Sequence, residues 1–131
     1  MKILSVILLI FTFIITSACL KQELKPQEPI WGKQTCATCR MILSEKRYAV
    51  QRVLSSGEIL YYDDLNCALN HDHATKGGTL YVRPYGGDNW IEAEKAMYSG
   101  GLMTPMNSGF GAQKDGGTIN FTEIKKKFEG I

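Results

Sequence analysis

Cys36-Ala-Thr-Cys39-Arg-Met41 constrains this chain more than any other stretch. A C-x-x-C pair puts two thiols close enough to chelate one ion or to close a small disulfide. In thioredoxin-like proteins such a pair follows a strand and opens a helix inside a βαβ unit. Here it follows a polar stretch with two prolines, Lys21 to Pro29, and precedes a β-rich segment. The surroundings therefore argue against a thioredoxin fold, and a dithiol redox protein stands as a secondary alternative. Soft sulfur donors, two thiols and a thioether within six residues, suit copper(I) far better than a hard cation.

The N-terminus predicts export. Met1-Lys2 is a short positive region, and Ile3 to Ile15 is an apolar run broken only by Ser5 and Thr12. Crossing a bilayer as a helix takes about 20 apolar residues, so the run reads as a signal-peptide core. Thr16-Ser17-Ala18-Cys19 follows at once and is similar to a bacterial lipobox, in which the cysteine is lipidated and becomes the mature N-terminus. Cleavage near Ala18, with Cys19 an incidental thiol, is the alternative. The expected organisation is a lipoprotein signal peptide over residues 1–18, a lipidated Cys19 and flexible tether over 19–30, and a metal-binding domain over 31–130. The protein is then lipid-anchored to the cell membrane, on its extracytoplasmic (periplasmic) face.

The formal charge of +2 and the lack of a basic stripe with interleaved aromatics argue against nucleic acid as a partner. Lys125-Lys126-Lys127 reads as the solvated face of a short helix. With Cys19 acylated, Cys36, Cys39 and Cys67 remain, an odd number that is awkward for a purely structural disulfide scheme: one pair could close and leave one thiol free, or a metal could hold two or three of them.

Arg47 to Leu54 and Ile59 to Tyr62 read as a hairpin turning at Gly57. Asp63-Asp64 caps a helix running through Leu65, Ala68 and Leu69 to about His73. Thr79 to Tyr85, Trp90 to Glu92 and Lys95 to Tyr98 read as strands, with Met97 in the core. Asn120 with Glu123 forms a capping box, and Phe121, Ile124 and Phe128 share one face of a last helix. Asp63 and Asp64 do not form a catalytic pair, since adjacent side chains diverge and a helix cap accounts for them; the chain is not expected to be an enzyme.

Two ligand sets compete. Copper(I) accepts two or three sulfur donors, thioethers included, and would draw on Cys36, Cys39, Met41 and the Met103-Thr-Pro-Met106 loop. Zinc wants four N/S ligands. Cys67 sits in the first turn of the proposed helix with His71 one turn on, so Cys36, Cys39, Cys67 and His71 make a Cys₃His set. Core packing of Met41, Met103 and Met106, and a buried inert Cys67, remain the plain alternatives.

From Trp31 to Phe128 the chain resembles the NosL family, lipoproteins that assist nitrous oxide reductase. The resemblance rests on Cys36 to Met41, Leu60-Tyr61-Tyr62-Asp63-Asp64, Tyr81-Val82, Trp90 to Ala93, Ala96-Met97-Tyr98, and Thr104 to Gly109. It implies a small α+β domain of two related ββαβ-like halves. It also implies a copper(I) metallochaperone acting with a membrane transport complex and a copper-dependent reductase, with Cys39, Met41 and Met106 as ligands and Cys36 or Met103 adding an exchangeable one. The family's motif has glycine at the place of Arg40. The first half also resembles small treble-clef zinc modules of the TRASH type, which implies a structural or interaction role instead.

Overall fold

The computed structural model describes residues 24–70 and 77–129. Cys19, His71 and His73 lie outside the described residues. Among the described residues, seven short strands and two helices make a mixed α+β fold built on two antiparallel sheets. The first sheet has the order β2-β1-β3-β4, with β1 Val50–Val53, β2 Ile59–Tyr62, β3 Thr79–Val82 and β4 Ile91–Glu92. The second has the order β6-β5-β7, with β5 Met97–Ser99, β6 Gly111–Gln113 and β7 Ile119–Asn120. Helix α1, Leu65–Asn70, follows β2, and helix α2, Phe121–Phe128, follows β7. The first half thus runs ββαβ, whereas the helix of the second half trails its three strands.

The hairpin forms as its residues predict. Gly57 takes the left-handed φ of +87° that the turn requires, and Val50 pairs with Tyr62 and Val53 with Ile59. β1 also pairs with β3, so it is an inner strand, and all four of its residues are buried. That explains why a polar Gln51 is fully enclosed. Its side chain accepts from the Gln27 N–H at 3.0 Å and donates to the Gln27 carbonyl at 3.1 Å, satisfying both ends of the amide.

Gln27 and Glu28, within the stretch read as tether, therefore make specific contacts with the domain. The Glu28 carboxylate pairs with Arg83 at 2.7 Å and accepts from the indole N–H of Trp31 and of Trp90. The Arg83 guanidinium lies over both indole rings, at 5.7 and 5.8 Å from their centroids. These hydrogen bonds hold Glu28 below the usual carboxylate range, although partial burial opposes them.

The sheets are joined where Tyr85 bridges Gln113. One contiguous core, including Val50, Tyr62, Leu65, Val82, Tyr98, Ala112, Phe121 and Ile124, runs across both. The capping box of α2 is present in full: Asn120 accepts from the Glu123 N–H and Glu123 from the Asn120 N–H, each at 2.9 Å. Met97 corrects its expectation. It lies in β5 but faces outward, 43% exposed, because the alternation of the strand gives the core position to the fully buried Tyr98. Among the described residues, no helix is long and apolar enough to cross a membrane.

Candidate metal centre

The C-x-x-C segment folds as a tight knuckle. Thr35 and Ile42 form an antiparallel bridge at its base. The Cys36 N–H donates to the Met41 carbonyl at 2.8 Å, and the Arg40 N–H returns to the Cys36 carbonyl at 3.1 Å. Closing so tight a turn puts Arg40 at φ +66°, in the left-handed region. Backbone N–H groups turn toward sulfur as a result: those of Thr38, Cys39 and Asp63 toward Cys36, and that of Met41 toward Cys39.

Two hydrogen bonds dock the knuckle. The Ala37 N–H donates to the Tyr61 carbonyl in β2, and the Thr38 hydroxyl to the Cys67 carbonyl in α1, each at 2.8 Å. Asp64 caps α1, accepting from the N–H groups of Asn66 at 2.9 Å and Cys67 at 3.3 Å. The cap sets Cys67 in the first turn, facing the knuckle. The sulfurs of Cys36, Cys39 and Cys67 consequently lie within 4.8 Å of one another, and all three thiols are free. A triangle of that size has a centre no more than about 2.8 Å from each sulfur, close to the Zn–S distance of about 2.3 Å. Three cysteines from two separate segments could thus hold one metal ion. Cys36 and Cys67 are buried, while Cys39 is half-buried at the rim.

The three thiols shift one another's titration. Cys36 is lowered to about 5, chiefly by the hydrogen bond from Cys67 and also by the backbone N–H groups, against the opposing effect of burial. Cys67 is pushed up because it donates to Cys36 and is itself buried. Cys39 is raised, mainly by burial; its thiol donates to the Asp63 carboxylate at 3.6 Å. Burial also raises Asp63. Metal binding would displace the thiol protons from the cluster.

The methionines separate. Met106 is half-buried against the core, with its N–H on Asp64 Oδ2 at 2.9 Å and its carbonyl accepting from Asn66 Nδ2 at 2.7 Å. Its loop is therefore pinned to the residues that position Cys67. Met41, at 55% exposure, points outward from the knuckle, and Met103 is 93% exposed.

Asp64 is the residue whose full role the sequence did not reveal. It is completely buried, and besides capping α1 it accepts from the Thr104 hydroxyl and from the N–H groups of Met106 and Ser108. Five donors from two distant segments meet on one carboxylate. The spacing of Thr104 and Ser108, whose hydroxyls also bond each other at 3.0 Å, is the sequence signal that marks an organised loop here.

The fold and its cluster define a small α+β protein with a candidate thiolate metal site. Comparison with protein-family models, with curated proteins and with solved structures found no match to this chain.

Proposed function

We propose that this chain is a copper(I) metallochaperone of NosL type, lipid-anchored through Cys19 outside the cytoplasm. It would take copper(I) from a membrane transport complex and pass it to a copper enzyme such as nitrous oxide reductase. One observation carries the reading: three sulfurs converge within 4.8 Å, two of them buried and one at the rim. A soft, low-coordinate ion fits three sulfurs without a further ligand. The half-buried Cys39 gives an acceptor's sulfur or imidazole a side from which to enter before the donor's sulfurs leave. Met106, whose backbone is held by Asp64 and Asn66, and the exposed Met41 are the thioethers that would take part in that exchange.

A structural zinc site is the second reading, and the place of Cys67 inside the cluster favours it. Zinc would need a fourth ligand. His71, and Asp63 with its carboxylate 3.6 Å from Cys39 Sγ, are the candidates.

Competition titrations of the reduced protein with copper(I) and zinc chelators separate the two readings. The chaperone reading expects one tightly held copper(I) and a weakening by Met106→Ala that leaves zinc affinity unchanged. Zinc held against chelators that strip copper(I), with binding lost in Cys67→Ser, would overturn it.

A further inference from the structure

We propose that the metal-free cluster is a redox modification site in which Cys39 is the entry thiol and a buried cysteine closes an internal disulfide. The proposal stands on the arrangement of the three thiols and not on the identity of any metal. Cys36 is 0% exposed and Cys67 4% exposed, so neither meets a disulfide in solution; Cys39, half-buried at the turn of the knuckle, does. Both buried sulfurs lie within 4.8 Å of it. Closing that gap to the S–S distance of about 2 Å lies within side-chain rotamer motion.

The oxidant is a small-molecule disulfide. Cys39 gives up its proton to solvent as its sulfur attacks one of the oxidant's sulfurs, forming a mixed disulfide and expelling one thiolate. The sulfur of Cys36 or Cys67 then attacks Cys39 Sγ, forming the internal disulfide and expelling the second thiolate. Two protein sulfurs are oxidised and one external disulfide is reduced to two thiols, whose two protons come from Cys39 and Cys67 or, where Cys36 is the partner, from Cys39 and solvent. One buried thiol is left over, which accounts for an odd number of cysteines in the cluster.

A disulfide consumes two of the three sulfur donors, so the oxidised chain and the metal-loaded chain exclude each other. A dithiol–disulfide exchange that reduces this bond must then precede loading wherever the surroundings are oxidising.

The test uses the full chain carrying Cys19→Ser, which leaves only the three cluster thiols. The protein is reduced, desalted and exposed to glutathione disulfide, and thiols and mass are followed. The expected result is a fall from three free thiols to one, a mass lower by about 2 Da, and no retained glutathione. Cys39→Ser should react at least about tenfold more slowly, since its remaining thiols are buried. Unchanged thiols in the parent chain, or a Cys39→Ser variant that reacts as fast, would overturn the proposal.

Cys36→Ser and Cys67→Ser each keep Cys39 beside one partner, and they guard against a folding defect in Cys39→Ser. Closure in at least one of them supports the proposal, whereas a stable glutathione adduct in both overturns it. Protection of the parent by preloaded copper(I) reports on the chaperone reading alone, because the thiol count of the metal-free chain does not depend on it.

Discussion

Arg40 carries a strained conformation that the knuckle imposes. The turn must bring the Arg40 N–H back to the Cys36 carbonyl, and this holds an exposed, Cβ-bearing residue at φ +66°. For an L-residue the left-handed region costs about 1–2 kcal/mol. Glycine, which the NosL-type motif has at this place, removes that cost but gives up about 0.5–1 kcal/mol through the entropy of the unfolded chain. Arg40→Gly should therefore stabilise the protein by about 0.5–1 kcal/mol, visible as a thermal midpoint several degrees higher. Arg40→Val, β-branched in the same conformation, should lower it. A lower midpoint for the glycine variant would mean that the Arg40 side chain contributes more than its backbone strain removes.

The knuckle, the start of α1 and the 104–108 loop form one unit because Asp64 ties the last two together. Its Oδ1 caps the helix and its Oδ2 receives Thr104, Met106 and Ser108. Asp64→Asn puts an amide N–H₂ against some of those donors and leaves buried N–H groups unsatisfied, a loss of about 2–4 kcal/mol. Hydrogen exchange should show the Met106 and Ser108 amides losing protection while the β1–β3 ladder keeps its own. Uniform loss across both regions would mean that Asp64 supports the whole core rather than this junction. The elements legible in the sequence were those set by neighbours along the chain: the hairpin at Gly57, the Asp64 cap, and the Asn120–Glu123 box. The Asp64 clasp was not legible, because its partners Thr104, Met106 and Ser108 stand some 40 residues away. Strand β6 was hidden for another reason. Gly111-Ala112-Gln113 has little strand propensity and is held extended by pairing with Met97 to Ser99. Of the candidate ligands, Cys36 and Cys39 were legible from their spacing alone. Cys67 was legible only as a rival's ligand, since nothing local shows that α1 turns its first residues toward the knuckle.

At the scale of the whole molecule, the fold gathers sulfur from the N-terminal knuckle and from the helix after the hairpin, and the proton balance of that gathering sets how the affinity for a metal held there would depend on pH. Above about pH 5 Cys36 is already a thiolate, whereas Cys39 and Cys67 are held protonated above the ordinary thiol range. Binding a metal through all three cysteines must then release two protons, one from Cys39 and one from Cys67. Falling pH opposes that release, so apparent affinity should rise about a hundredfold per pH unit between roughly pH 6 and 8. A set of Cys39 with the thioethers of Met41 and Met106 ionises one thiol and gives about tenfold per unit, because a thioether carries no proton. A set of Cys36 with thioethers gives almost no dependence in that range. Competition against a chelator of known pH behaviour, paired with proton release in a weakly buffered solution, measures the slope. The hundredfold slope should fall toward tenfold in Cys67→Ser, where the serine hydroxyl can still donate to Cys36 and keep it low but brings no thiol proton of its own. A slope unchanged by that substitution would remove Cys67 from the metal and return the site to the cysteine and methionines of the knuckle and the 103–106 loop.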